Sequence, residues 1–262
     1  RDRARSILTE AGTVSGTAAE HGVYPANAVI LSTGGVSYPA TGSTGEGHRI
    51  AAAAGHTVTP LQGSLVPLRE KGNTCASMQG LSLRNVQLTV FESGKKIYTD
   101  FGEMLFTHFG VSGPLVLSAS AHMRHFEKKS YRLEIDLKPA LDENQLDKRL
   151  LSDFEKYCNH DFANALKDLL PQKMIPQMVR ASGIDPRCKV HTVTREQRRG
   201  LIQLLKHWPI EIAGLCPVTD AIITSGGIKV SEINPTTMES KLVKGLFFAG
   251  AVSYTHLTLP TT

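Results

Sequence analysis

The sequence predicts an α/β domain interrupted by a β-rich and then a helical insertion, and three observations carry that expectation. Residues 28–31 (Ala-Val-Ile-Leu) form a continuous apolar run of the kind buried parallel strands use, and the run ends at Thr33-Gly34-Gly35. Residues 85–91 and 131–137 instead alternate polar and apolar with period two, which predicts antiparallel strands with one buried face. After a stretch of leucines at helical spacing, the α/β pattern returns at residues 221–224, Gly226-Gly227 and 245–250.

Taken in order, the first strand leads through the glycine-rich loop 39–47 into a helix-forming stretch, 48–54, that Gly55 stops. Strand, glycine loop and helix in succession are the local pattern of a nucleotide-binding α/β sheet. Glu92-Ser93-Gly94-Lys95 reads as a turn, so residues 85–98 predict a hairpin. Leu141, Leu146, Leu150 and Phe154 predict a helix with Asp142 as its cap. Leu166, Leu169 and Leu170 predict a second helix before Pro171. Thr194 with Gln197 forms a candidate capping box for a third, continued by Leu201, Leu204 and Leu205. These boundaries divide the chain into residues 1–62, a β-rich insert 63–140, a helical insert 141–214, and a return at 215–250.

Composition narrows the function classes. The chain has 262 residues, 41% hydrophobic and 20% charged, which suits a globular protein and excludes a disordered or fibrous one. No apolar run approaches the roughly 18 residues a spanning helix needs, so no membrane association is expected. The net charge of +5 permits anionic ligands without the clustered stripe of a dedicated nucleic-acid binder, so no nucleic-acid partner is expected. The densest basic cluster, residues 195–199, reads as a solvated helix face. Cys75, Cys158, Cys188 and Cys216 are scattered, with no CxxC pair. They read as small buried hydrophobes in a reducing cytoplasm, with no metal site.

The strongest chemical signals are glycines at strand ends, where a missing Cβ lets backbone N–H groups approach a phosphate. Ser32-Thr33-Gly34-Gly35 and Ser225-Gly226-Gly227 could each do this, although either doublet alone reads first as a tight turn. Gly42-Ser43-Thr44-Gly45-Glu46-Gly47 precedes a helix, where amides and hydroxyls could meet an anion. It lacks the lysine of a GxxxxGK[ST] loop, which disfavours a kinase or ATPase, and GxGxxG is absent. Tyr38 and Trp208 read as packing residues.

Residues 29–35 and 37–47, Gly102–Pro114, 223–228 and 237–250, in that order, resemble the bacterial NAD(P)/FAD-dependent oxidoreductases of the aminoacetone oxidase type, a family that includes reductases of bile-acid intermediates. The resemblance implies a partial Rossmann-like FAD-binding domain, residues 1–62 with 215–250, carrying the two inserts. It implies FAD as cofactor, NAD(P)H as a candidate electron donor, a small organic substrate and a cytoplasmic enzyme. It places Thr33, Gly34, Gly35, Gly42, Ser43, Thr44, Gly45, Gly226, Gly227 and Gly250 at the cofactor, and makes Thr107 and His108 candidate catalytic groups near the flavin face. His108 is equally readable as a loop histidine satisfied by backbone. Two departures stand out. The family's opening βαβ unit with the dinucleotide fingerprint has no counterpart here, and residues 251–262 replace an acidic, glycine-rich continuation and read as a non-native tail. The chain therefore reads as a fragment of a flavoenzyme, inactive as it stands. A non-catalytic nucleotide- or anion-binding module is the alternative, and a helical insert that docks a nucleic acid or protein through Arg195, Arg198 and Arg199 ranks third.

Overall fold

The computed structural model describes residues 2–253. The chain divides into two compact units, one made from its two ends (up to Val66 and from Cys216 on) and one from Pro67–Leu215.

The first unit opens with an antiparallel sheet of β1 (Ala4–Glu10), β2 (Thr13–Ala19) and β3 (Val23–Pro25). Ala11 and Gly12, both at positive φ, turn β1 into β2. β4 (Val29–Leu31), α1 (Glu46–Ala53) and β5 (Val58–Ser64) follow. The chain then enters the second unit, with β6 (Leu68–Glu70), a single turn α2 (Thr74–Ser77), β7 (Ser82–Glu92), β8 (Lys95–Phe106), β9 (Gly110–Ser112), α3 (Pro114–Ser120) and β10 (Tyr131–Asp136). Four helices come next: α4 (Glu143–Lys156), α5 (Phe162–Ala165), α6 (Ile175–Ser182) and α7 (Arg195–Lys206). β11 (Trp208–Leu215) completes the unit, and β12 (Ile223–Ile228) and β13 (Leu246–Phe248) return to the first.

Six strands of the second unit close a barrel in the order β10-β11-β6-β9-β8-β7. Alternation decides which side chains enter it. On β10, Tyr131, Leu133 and Ile135 are buried while Arg132 and Glu134 lean outward; on β11, Trp208, Ile210 and Ile212 are buried while Pro209 and Glu211 are exposed. The predicted hairpin is β7–β8. Ser93 and Gly94, at φ 47° and 87°, form the two-residue turn whose twist suits flanking strands. The Tyr131 hydroxyl has two acceptors within reach of its single proton, Glu92 at 2.8 Å and the Arg124 carbonyl at 2.7 Å, and accepts from the Arg124 amide.

The predicted Asp142 cap and the predicted Thr194 capping box both form, and the Asp142 cap is itself a full capping box. Asp142 accepts from the Gln145 amide at 2.7 Å while the Gln145 side chain accepts from the Asp142 amide at 3.0 Å. Thr194 and Gln197 exchange the same pair of bonds at 3.2 and 2.9 Å. Other expectations are corrected. The helical insert ends in a strand, because residues 208–214 alternate and supply the barrel's sixth stave. Leu166, Leu169 and Leu170 are buried but lie in turns, and the short helix precedes them at α5. Cys75 and Cys216 are buried as expected, whereas Cys158 is exposed and Cys188 half-buried. Trp208 packs in the core, but Tyr38 is 51% exposed. Residues 254–262 of the expected non-native tail lie outside the described residues.

The first unit has its own core, built from Val14, Leu31, Ile50, Ile228, Leu246, Phe248 and their neighbours. β13 pairs in parallel with β4, Leu246 opposite Val29 through Phe248 opposite Leu31, and β12 pairs antiparallel with β5. The two ends of the chain thus meet in one unit. Among the described residues no helix is long and apolar enough to cross a membrane.

Leu133 is fully buried at the centre of β10. Leu133→Ala should destabilise the barrel unit by about 3 kcal/mol, read as a lower midpoint in denaturant unfolding. An unchanged midpoint would mean that the barrel core is not close-packed.

Candidate functional site

The site in the first unit is built outward from the turn after β4. Gly34 sits at φ 74°, a left-handed conformation glycine takes without strain. A Cβ on Gly35 would run into the Thr224 side chain, so the loop can close on β12 only through a glycine. Thr224 uses that closeness. Its buried Oγ1 accepts from the amides of Val36 and Ser37 at 2.8 and 3.0 Å and lies 2.9 Å from the Ser37 hydroxyl. One hydroxyl therefore fixes two successive amides of the loop.

The same logic holds the other end. Gly47, in the first turn of α1, leaves room only for the Thr33 side chain packed against it. Gly45 caps α1 at φ 78° and Gly42 turns at φ 100° with open space where a Cβ would be. Among the described residues the amides of Gly34, Gly35, Ser43 and Gly45 donate to no acceptor. Thr44 is exposed and Ser43 half-buried on this rim. Glu46, the first residue of α1, forms ion pairs with Arg3 and with Arg49, the latter at 3.1 Å. The Arg3 hydrogen bond holds its carboxyl below the ordinary carboxylate range. Thr33, Gly34, Gly35, Gly42, Ser43, Thr44 and Gly45 are thus one continuous glycine-lined rim between β4 and α1.

The remaining predicted positions behave differently. Gly226 and Gly227 are buried in β12. A Cβ would strike the Pro60 backbone at the first and the Val252–Ser253 backbone at the second, so the chain itself fills the space they leave. Gly227 and Thr59 exchange two hydrogen bonds, at 2.9 and 3.0 Å. Gly250 is exposed at φ 74°, and nothing lies within 4 Å of where its Cβ would stand. Thr107 and His108 belong to the barrel unit, in the turn between β8 and β9. The Thr107 hydroxyl accepts from the Gly110 amide at 3.2 Å, which commits it to the turn. His108 is exposed, its ring edge-on to Phe109 at 5.0 Å. Asp2, Glu20 and His21 bring ligand-type atoms within 4.8 Å of one another, yet Asp2 accepts from His21 and Tyr24, and Glu20 pairs with Arg5.

Two buried histidines have no counterpart among the sequence expectations. His56 follows α1. Its Nδ1 lies 3.2 Å from Glu232 and its Nε2 2.8 Å from the Ser240 hydroxyl, and Phe248 meets the ring edge-on. Ser240 accepts in turn from the amides of Leu242 and Val243, which leaves its own proton for His56 Nε2. Burial depresses the His56 pKa, with Glu232 opposing. His48, on α1, has neither ring nitrogen in hydrogen-bond geometry, and burial depresses its pKa too, with the Val252 backbone beside it opposing. Histidines seldom stand out without a partner at a telling spacing. The only sequence signal for Thr224 was its hydroxyl, next to that of Ser225, at the end of the apolar run 221–223.

Thr224→Val should cost about 1–3 kcal/mol through two orphaned amides and remove hydrogen-exchange protection at Val36 and Ser37; retained protection there would refute the clamp. Both histidines have folded pKa values below their unfolded value of 6.5. The stability they contribute is therefore present above that pH and lost as pH falls through the folded values. The unfolding midpoint should drop on acidification below about 6.5, and a His48→Asn, His56→Asn double variant should flatten that slope.

The chain is 28% identical over 229 residues to a 3-dehydro-bile acid delta(4,6)-reductase of Clostridium scindens, covering 87% of this chain and 56% of that protein. It is 31% identical over 226 residues to a ribosomal RNA dihydrouridine synthase of Haemophilus influenzae (86% and 53%), and 27% identical over 226 residues to the Escherichia coli protein of the same name (86% and 54%). These relatives are enzymes, and the chain spans about half the length of each. The family model described as the HI0933-like protein barrel and H2TH domain matches residues 62–223, more than half of the chain and the whole of the closed barrel with its helices. The chain belongs to the HI0933-like family.

Proposed function

We propose that this chain is part of an FAD-dependent oxidoreductase that reduces an activated carbon–carbon double bond in a small organic substrate. The observation that carries the reading is what its relatives' names share. A delta(4,6)-reductase and a dihydrouridine synthase both deliver two electrons and two protons across a C=C bond. The glycine rim between β4 and α1 suits such a cofactor. Gly42 and Gly250 leave open the space a Cβ would fill, and the unbonded amides of Gly34, Gly35, Ser43 and Gly45 offer donors to phosphate oxygens. Those residues, with Thr33 and Thr44, would hold the FAD; the bound flavin supplies the hydride chemistry.

The chain's own residues then have separable roles. Thr224 keeps the rim in one conformation, so the amides are set before a ligand arrives. Glu46 stands at the same helix terminus, and its pairing with Arg3 and Arg49 offsets the repulsion it would exert on a phosphate. The Thr107 hydroxyl supports its turn by accepting from Gly110, and His108, exposed in the same turn, is assigned the proton-donor role. NAD(P)H as electron donor and a cytoplasmic setting complete the proposal.

A second reading keeps the chemistry and changes the substrate to a base in ribosomal RNA. Two relatives carry that substrate in their names. The charge is also unevenly placed: Pro67–Leu215 holds 22 of the 29 Lys and Arg and 17 of the 24 Asp and Glu, so the entire +5 resides there.

The first reading predicts that FAD raises the melting temperature of the chain and that Gly42→Val, which fills the open space there and is strained at φ 100°, lowers the unliganded melt by several degrees and abolishes the rise measured from that new baseline. A chain indifferent to FAD, or a Gly42→Val variant that still responds, would overturn the assignment of the rim.

A further inference from the structure

The surplus of positive charge is concentrated further within the second unit. Residues 156–206 contain ten Lys and Arg against four Asp and Glu, an excess larger than that of the whole chain. Several of these cations are taken up by carboxylates: Lys156 by Asp168, Lys189 by Asp161, and Lys206 by Asp136. The densest group is at the start of α7, and there the carboxylates run short.

Three arginines, Arg195, Arg198 and Arg199, share there the field of a single carboxylate of α4, Asp147. Arg198 takes it: its Nε lies 2.5 Å from Asp147, and its side chain is only 13% exposed. Arg195 and Arg199 also lower the Asp147 pKa, which places them within electrostatic reach of the same carboxylate. Both are exposed, and among the described residues neither forms an ion pair. The other nearby acids do not relieve them. Glu143 accepts from Gln203 at 3.0 Å, and Glu196 makes no ion pair among the described residues. Arg195 and Arg199 stand one turn apart on one helix face, where like charges repel, and they sit at the helix end where a cation is disfavoured. Within the fold this repulsion opposes the attraction of both arginines to Asp147. An anionic partner relieves it.

We propose that Arg195 and Arg199, backed by the Arg198–Asp147 pair, form a phosphate-contacting surface on which ribosomal RNA docks. This rests on the second reading above and extends it by assigning the docking face. RNA fits better than an isolated anion because the two guanidinium groups are exposed and spaced along a helix face, not gathered in a pocket, as contacts to successive backbone phosphates require. The Arg198 pair anchors α7 to α4, so the face is held rigid before RNA arrives.

The test measures binding of the full chain to sheared, labelled bacterial ribosomal RNA across a salt series. It compares the chain as it is with R195Q/R199Q and with K95Q/K96Q, a control pair of exposed lysines at the β8 end of the barrel hairpin. Circular dichroism establishes that both variants fold. We expect the logarithm of the affinity to fall linearly with log salt concentration. R195Q/R199Q should lose about 1.5 from that slope, roughly 0.7 per lost contact to single-stranded RNA, while K95Q/K96Q keeps the slope of the parent chain. If R195Q/R199Q binds as the parent chain does, or if both variants lose equally, the docking face is wrong while the ribosomal RNA reading stands. Absence of any salt-dependent RNA binding by the parent chain would bring both down together.

Discussion

The first unit depends on a pairing made across almost the whole chain. β13 adds in parallel to β4, and Thr224 on β12 accepts from Val36 and Ser37, residues 188 and 187 positions away in sequence. Neither half of this unit can bury its apolar face alone. Leu31 and Ile50 come from the early segment, and Ile228, Leu246 and Phe248 from the late one, and they share one core. Closing so long a loop costs little more entropy than closing a moderate one, because the cost grows only with the logarithm of its length. What makes the closure favourable is that the intervening residues fold into a barrel with a core of their own.

The rim between β4 and α1 is an instance of glycines used in opposite ways. At Gly35 and Gly47 the missing side chain is filled at once by a threonine, Thr224 or Thr33, and the effect is rigidity. At Gly42 and Gly250 the space stays empty and the backbone remains accessible. Gly226 and Gly227, next to one another in the sequence, belong wholly to the first kind. A glycine doublet is therefore two different signals that look alike until the neighbouring strand is known.

That distinction sets how much could be read from the sequence. The Asp142 cap, the Thr194 capping box, the β7–β8 hairpin and the glycine rim were legible because each is encoded within a few residues. The barrel was not. Its closure joins β11 to β6 and β10, and nothing local in Trp208–Leu215 names those partners, although the alternation there is plain. The leucines at 166–170 misled for the opposite reason, since burial in a turn and burial on a helix produce the same spacing over five residues. Thr224 and His56 were invisible because their partners, Val36, Glu232 and Ser240, lie more than 170 residues away.

β6 and β11 are neighbours in the barrel, with Leu68 opposite Leu215, so the inserted unit begins and ends at adjacent points. A host sheet that receives such an insert need only part its chain by the spacing of two hydrogen-bonded strands. The barrel and its helices are therefore a cassette that recombination can add or exchange in a single event without redrawing the host's strand order. A host unit built this way can exchange one self-contained module and leave the pairing of its own strands, β12 with β5 and β13 with β4, untouched.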